Sequence, residues 1–556
     1  MAHFMNNIQN IINVHIATVQ QLFSDLPLSI RSSIDISLNT DPQRQSFGDL
    51  SSNAALLVAK YTGKHPRTVA AEIIAATHHP FIASQEIAGP GFINITLTHE
   101  AFHHILRELR TQKYAFFALQ DTEPRERYCV EFISANPTGP LHIGHGRNGI
   151  IGDMLCRITT FLGHETTAEF YCNDAGAQMT KLGISLKIRC QQLCGYDASI
   201  PEDGYHGEYL IPLAERCIAA YGPTVIEERD IPFFSHYAEE QILAEQKETI
   251  ALYRVHFNSW FSERTLHTSG AIAQALEKLR ERGHLYDQDG AIWLRTTAFG
   301  DDKDRVVQRS SGEYTYVAAD IAYLENKVSR GFTKIITVLG QDHHSYLTRL
   351  KAVIEALGHD PAMLDIILYQ LVMIKNEGEL LKLSKRAGRI IGLRDIIEAV
   401  GPDVARFFYL NRKADAHLEF NMGLALKRTE ENPVFYIQYA YVRTGSILEK
   451  GKKTAGCEQY GDQDIVHLSL AEHIILKKIV ALHSLLRYIA QTYQTHMLAY
   501  YILELSHIFH SYYAAHRVID PDNIPLTRAR LVVVEQLRET IKLCLTLLGL
   551  DTPQSM

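Results

Sequence analysis

At 556 residues the chain is too long for one core, and its 46% hydrophobic and 21% charged content suits a soluble globular protein of about three domains. A formal net charge of −8 argues against generic coating of nucleic acid but leaves room for local basic patches. No apolar run has the length of a membrane span, and the start MAHFMNNIQNIINVHIATVQ lacks the basic region and apolar core of a signal peptide, so a cytoplasmic protein without membrane contact is expected.

Residues 1–115 read as a small α+β domain. The stretch FGDLSSNAALLVAKYTGKHPRTVAAEIIAAT repeats apolar residues at helical spacing, and IAGPGFINITLT is a turn followed by strand alternation. QDTEPRER, with Pro124, reads as a linker. From Tyr128 strands and helices alternate, with short apolar runs such as AIWL and KIITVLG, which implies a mostly parallel sheet covered by helices across 128–425. Helical sequence at about 190–265 reads as an insertion. From 426 to 556 the strands stop: Ile475, Ile479, Leu482, Leu486 and Ile489 step by four and three, the pattern of an all-α bundle. The eight cysteines are scattered, Cys190 and Cys194 being the nearest pair, and form neither a disulfide framework nor a zinc pattern; no metal held by the protein is expected.

The most informative stretch is CVEFISANPTGPLHIGHGRNGIIGDMLCRI, residues 129–158. A strand runs into an Asn-Pro-Thr-Gly-Pro turn, and Pro137 and Pro140 push the helix start beyond Pro140. His142 and His145 then share a face of the first turn, whose free N–H groups and positive dipole end attract phosphate. Gly144 leaves bare backbone on which a flat base can lie. Downstream, LLKLSKRAGR carries Lys382 and Lys385, mobile point charges suited to following phosphate oxygens through a reaction.

These two features together resemble the class I aminoacyl-tRNA synthetases: HIGH matches their signature letter for letter, and KLSKRAG resembles their Lys-Met-Ser-Lys-Ser loop, with Leu383 in place of Met. The longer string SANPTGPLHIGHGR is similar to arginyl-tRNA synthetases of the common bacterial type. That likeness continues through FGDLSSNAA, GPGFINITL, YTYVAADIAYLENK, GQDHHSYLTRLKA, GPDVARFFYLNR and NPVFYIQYAYVR. The resemblance implies a Rossmann-like catalytic domain with a front domain touching tRNA and a terminal bundle reading the anticodon. It implies ATP, L-arginine and arginine-accepting tRNA as substrates, magnesium carried by ATP, and a ligase of protein synthesis acting as a monomer.

Carried over residue by residue, the resemblance places Ala135, Asn136, Pro137, Thr138, Gly139, Pro140, Leu141, His142, Ile143, Gly144 and His145 around ATP, joined by Lys382, Leu383, Ser384 and Lys385. It sets Asp320 and Glu263 against the guanidinium, Tyr316 a strand-length before Asp320, and Asn136 and Gln341 at the α-amino and carboxylate end, with Glu131 bordering the substrate. A planar, permanently charged guanidinium does need carboxylates in a fork. Each residue has a plainer alternative: Asp320 as a helix cap, Glu263 as a solvated helix acid, Tyr316 as core, Gln341 as a loop amide, and Glu131 as the partner of a nearby Arg. Asn258 and Asn421 stand where the family usually has Asp, and His343 and His344, although adjacent, have no third ligand spaced to make a metal site. The span between the signatures is too short for a large editing domain. Two rivals remain: a cysteinyl-type synthetase, which would want a zinc-bound thiolate site, and a non-catalytic RNA-binding relative, which would be expected to have lost one signature.

Overall fold

The structure is a computed structural model that describes residues 7–341, 346–376, 379–380 and 392–556. Its front part is a four-stranded antiparallel sheet in the order Ile36–Leu38, Leu50–Ser52, Phe92–Leu97, Ile82–Ala88. Helices Asn7–Leu22, Ala54–Thr62, Pro66–Ala76 and His99–Gln112 accompany it. The stretch that reads as continuous helical spacing from Phe47 is divided: Leu50–Ser52 is a strand, Gly63 in the left-handed region (φ 71°) ends one helix, and Pro66 in its first turn starts the next.

The middle part is a five-stranded, wholly parallel sheet in the order Leu364–Tyr369, Lys334–Gly340, Arg127–Glu131, Glu165–Cys172, Ser259–Ser262. The chain starts at the central strand, builds outward in one direction, and returns to build in the other. The direction switches between Arg127–Glu131 and Lys334–Gly340, and in such sheets ligands sit beyond the carboxyl ends of the strands at the switch. The crossover from the central strand is the helix Ile143–Leu162, which lies close against it: a Cβ on Gly152 would fall 2.1 Å from the Phe132 ring.

Two expectations need correction. The helical insertion spans Ala177–Leu193, Leu210–Tyr221 and Ile231–Leu252 around a core of its own; Ser259–Ser262, placed within it by the sequence pattern, is the edge strand of the parallel sheet. Four residues with two aromatics are too short to show a strand period. AIWL, Ala291–Leu294, is a strand, but of a separate antiparallel sheet with Leu285–Gln288 and Arg305–Gln308.

Helices Pro433–Lys452, Leu470–Thr492, His496–Ala515 and Ile524–Leu548 form the terminal bundle, and one apolar core runs from Ile8 in the front domain to Leu550. Polar ties reinforce the junction. Buried Lys477 pairs with Asp49 at 2.9 Å, Tyr114 donates to Glu539 at 2.8 Å, and the Arg487 guanidinium reaches Ala118 O at 3.0 Å and Glu123 at 3.1 Å. Among the described residues no helix is long and apolar enough to cross a membrane.

Candidate active site

At the end of the central strand the backbone turns through Ile133 (φ 62°) and Ser134 (φ 42°), left-handed values that a β-branched residue adopts only when its surroundings impose them. Here Asn148, buried on the signature helix, accepts from Ile133 N at 2.5 Å and donates to Val338 O at 2.9 Å, so one amide ties the turn to the neighbouring strand. The turn delivers Ala135–Leu141 to the mouth of the helix. Ala135, Pro137, Leu141 and Ile143 are buried and anchor this loop, while Asn136, Pro140 and His142 are exposed. Gln246 of the insertion donates to Asn136 O at 3.1 Å and Gly139 O at 2.8 Å, and the Tyr209 hydroxyl donates to Thr138 O.

His142 is the N-cap of the signature helix. Its Nδ1 accepts from Gly144 N at 3.1 Å, its own backbone N–H donates to His145 Nδ1 at 3.1 Å, and the two rings stack with centroids 3.7 Å apart. Although His142 is partly exposed, desolvation of its ring where it stacks on His145 pushes its imidazole pKa down, against its backbone hydrogen bond, and burial pushes His145 down to about 3, helped by His142. Both rings are therefore neutral at pH 7. With each Nδ1 accepting, the proton resides on Nε2, so each ring presents one N–H donor beside the positive end of the helix. Gly144 is constrained as well: an added Cβ would sit 3.0 Å from His142 Cε1 and press on this stack. The loop and both histidines line a cavity of about 540 Å³ whose far wall is Tyr205, Glu208 and Tyr209, residues of the insertion that sequence reasoning did not single out.

Lys382, Leu383, Ser384 and Lys385 lie outside the described residues, as do His343 and His344. The elements that flank the lysine loop are tied to the signature. Gly392 bridges to His142, and Leu393 N donates to Leu141 O at 2.8 Å. Arg147, fully buried, donates to Gln370 O, Ala416 O and Lys413 O, each at 2.8 Å, gripping the segments that bracket the paired strands Val372–Asn376 and Leu418–Asn421. A buried guanidinium coordinating only carbonyls has its pKa pushed down by burial to about 10 and still carries its charge.

The second half of the site collects at the carboxyl edge of the sheet. Glu131 ends its strand, Tyr171 nearly ends the next, Glu263 directly follows Ser262, and Gln341 directly follows Gly340. Asp320 reaches the same place from the helix Tyr316–Ser329. Burial pushes its carboxyl up to about 7; the negative charges of Glu131 and Glu263 add to this, and a Tyr346 hydrogen bond and Arg349 oppose it. Tyr171 lies beside Glu263, and its hydroxyl pKa is raised by burial and by that carboxylate. Glu263 is 5% exposed and stands 3.5 Å from His267.

Several sequence assignments change in detail. Thr315 is the N-cap, so Asp320 lies inside the helix and does not cap it, and Tyr316 is one helical turn before Asp320, not a strand-length. Tyr316 is not core: it is 68% exposed. Glu263 is buried, which removes the solvated alternative, and Gln341 and Asn136 are exposed, the latter donating to Gln178 at 3.1 Å. Glu131 does have a basic partner, but it is Lys327 at 2.6 Å, not an arginine. Tyr171, Lys327 and Tyr346 were missed; the available signal was position at a strand's carboxyl end for Tyr171, and helical spacing from Asp320 for Lys327. The two asparagines that replace aspartate act as neutral acceptors, Asn258 Oδ1 for Ala168 N at 2.9 Å and Asn421 Oδ1 for Leu424 N at 3.0 Å. Among the described residues no group of three or more His, Cys, Asp or Glu side chains is placed to hold a metal ion.

Comparison with known proteins bears on the whole chain. Three family models match: the arginyl tRNA synthetase N-terminal domain over residues 6–97, the class I (R) tRNA synthetase catalytic domain over 109–200 and 249–407, and the DALR anticodon binding domain over 437–556. The interruption of the second match falls within the helical insertion. The chain is 40% identical to an arginine–tRNA ligase of Bacillus licheniformis and 39% identical to that of Bacillus subtilis, each over 521 residues and 93% of both chains. Its fold is similar to the Thermus thermophilus arginyl-tRNA synthetase structure, with a TM-score of 0.74 at 19% identity over 98% of this chain and 99% of that one. With its parallel sheet, signature helix and terminal bundle in that order, the chain belongs to the arginyl-tRNA synthetase family of class I aminoacyl-tRNA ligases.

Proposed function

We propose that this chain attaches L-arginine to its cognate tRNA through an arginyl-adenylate. A carboxylate oxygen of arginine attacks the α-phosphorus of ATP, the bond to the bridging oxygen breaks, and pyrophosphate leaves with that electron pair. The 2′-hydroxyl of the terminal adenosine of tRNA then attacks the arginyl carbonyl, its proton is lost, and AMP departs. His142 and His145 donate to the triphosphate as charge builds, Gly144 admits the adenine, and Lys382 and Lys385 hold the departing β and γ phosphates. Ala135–Leu141 with Ile143, Leu383 and Ser384 complete the ATP site. Magnesium arrives with ATP as part of the substrate, held by phosphate and water.

Asp320 and Glu263 accept from the guanidinium, Tyr316 closes over it, Asn136 and Gln341 hold the α-amino and carboxylate groups, and Glu131 borders the substrate. The observation that carries this assignment is the convergence of carboxylates at the carboxyl edge of the sheet, beside the signature turn: Glu131 and Glu263 are buried and Asp320 is half-buried. Such a pocket rejects amino acids lacking the guanidinium by roughly 10⁴ or more, so no editing domain is needed. Residues 1–115 and 426–556 contact the tRNA, and one cytoplasmic chain carries every part that the reaction uses. Pyrophosphate exchange across the twenty amino acids, with and without tRNA, tests the proposal. Exchange is expected with arginine alone and only when tRNA is present. Exchange with another amino acid refutes the substrate, and exchange without tRNA refutes the tRNA requirement alone.

A further inference from the structure

Lys327 lies about two turns beyond Asp320 on the helix Tyr316–Ser329 and is 1% exposed. Its ammonium donates to Glu131 at 2.6 Å and stands 4.1 Å from the centre of the Tyr323 ring. Burial opposes the charge, but Glu131 together with Cys129 and Glu169, which face the same ammonium, holds it above the ordinary lysine value. An ammonium buried this deeply is unfavourable unless it is paired, and a hydrophobic pair of similar volume would serve packing as well or better. The ion pair therefore calls for a reason other than stability. Its acid partner belongs to the group of carboxylates that influence one another at the arginine end.

We infer that Lys327 is a positioning residue that sets the charge of the arginine pocket: by engaging Glu131 it leaves two carboxylates, those of Asp320 and Glu263, for one guanidinium. The inference rests on the reading of those two residues as the guanidinium's acceptors. Asp320 is faced by Tyr346 and Arg349 from the helix Tyr346–Ala356, by Glu131 and Tyr171 from two strands, and by Glu263 from the helix after a third. Tyr323 and Lys327 lie on its own helix, and His267 accompanies Glu263. Two like charges already resist ionisation of Asp320. Removing the ammonium leaves Glu131 uncompensated, so Asp320 keeps its proton to higher pH, and arginine, which needs the ionised form, is captured only at higher pH.

The test is the KM for arginine in aminoacylation from pH 6 to 9, with the KM for ATP and the melting temperature measured alongside. Lys327→Met should move the midpoint of the arginine profile up by about one pH unit or more, Lys327→Arg should restore it, and neither should move the ATP constant. Glu131→Gln, which leaves the ammonium in excess, should move the midpoint down and provides the reading if Lys327→Met does not fold. The double variant Lys327→Met with Glu131→Gln has the wild-type net charge without the ion pair, and its midpoint should return to the wild-type position. Unmoved midpoints in the folded single variants, or a double variant that stays with Lys327→Met, would overturn the inference and leave a merely structural pair. Asp320→Asn tests the underlying reading separately: near-normal arginine kinetics there would remove the pocket itself, whereas a damaged Asp320→Asn beside an unmoved Lys327→Met removes only the role of Lys327.

Discussion

The proposed phosphate end of the site comes from one contiguous stretch, Ala135–His145, whereas the proposed arginine end gathers Glu131, Tyr171, Glu263, Asp320 and Tyr346 from five separate elements. The first works with backbone N–H groups, a helix dipole and imidazoles kept neutral by burial, so it holds no buried net charge before substrate arrives. The second concentrates like charges out of water, and the cost appears in Asp320, whose carboxyl is pushed up to about 7. A donor-rich turn can be shaped by local chain geometry alone. A cation-selective pocket needs the whole sheet, because acids this close cannot be spaced by a single segment.

The largest expected effect breaks the arginine end and spares the other. Asp320→Asn keeps the shape and turns one acceptor oxygen into a donor facing donors; losing one side of a buried ion pair costs about 3 to 5 kcal/mol, or roughly 10² to 10³ in kcat/KM for arginine. The ATP constant should stay near normal. The same variant has a distinctive stability signature. A carboxyl whose folded pKa lies above its unfolded value lends stability that is full below the unfolded value and lost as pH rises through about 7. Asparagine has no such loss, so the variant's melting temperature, relative to wild type, should rise between pH 5 and pH 8. A flat difference would show that Asp320 ionises normally in the free enzyme.

Next in size is the phosphate end. His145→Ala removes an N–H donor and a member of the capping stack, and should lower the rate of adenylate formation by roughly 10² with little change in arginine KM. A variant that raised only arginine KM would contradict the assignment. pH separates the ends without mutation. Because burial pushes both imidazole pKa values down, His145 to about 3, ATP KM should change far less than arginine KM from pH 6 to 8. Arginine KM should fall roughly tenfold over the same range as Asp320 ionises. Parallel profiles would erase the distinction.

The same contrast explains what the sequence could and could not disclose. HIGH and the turn before it were legible because their chemistry is consecutive, and the α/β alternation and the terminal bundle followed from apolar periodicity. Asp320 and Glu263 came from resemblance; nothing in VAADIAY or FSERTL marks either acid as buried. Lys327 and Tyr171 were missed because the roles proposed for them arise from folding: the lysine from a partner 196 positions away, the tyrosine from lying beside an acid that follows another strand. Arg147, inside the recognised string, was passed over for a related reason, since its three carbonyl partners lie more than 220 residues downstream. The end of the insertion was misplaced because Ser259–Ser262 is too short to show its period.

The smallest effect sharpens the comparison most, since it asks whether a group with no charge of its own belongs to the arginine end. The Tyr171 hydroxyl faces the Glu263 carboxylate, and its ring packs against Tyr323 with centroids 4.5 Å apart. Tyr171→Phe keeps that packing and removes only the hydroxyl. One hydrogen bond to a carboxylate in this setting is worth about 1.5 to 3 kcal/mol when its loss leaves the acceptor bare, but an arriving guanidinium can take over part of that role. The net effect on arginine KM should therefore be roughly threefold to tenfold, with kcat and ATP KM nearly unchanged. The direction follows from positioning: without the hydroxyl, Glu263 keeps His267 at 3.5 Å as a neighbour and is free to turn toward it and away from the pocket. Adding His267→Ala should then recover part of the loss by removing the competing partner. If Tyr171→Phe leaves arginine KM untouched, or the second change recovers nothing, the hydroxyl does not orient Glu263, and Asp320 alone supplies the selective contact.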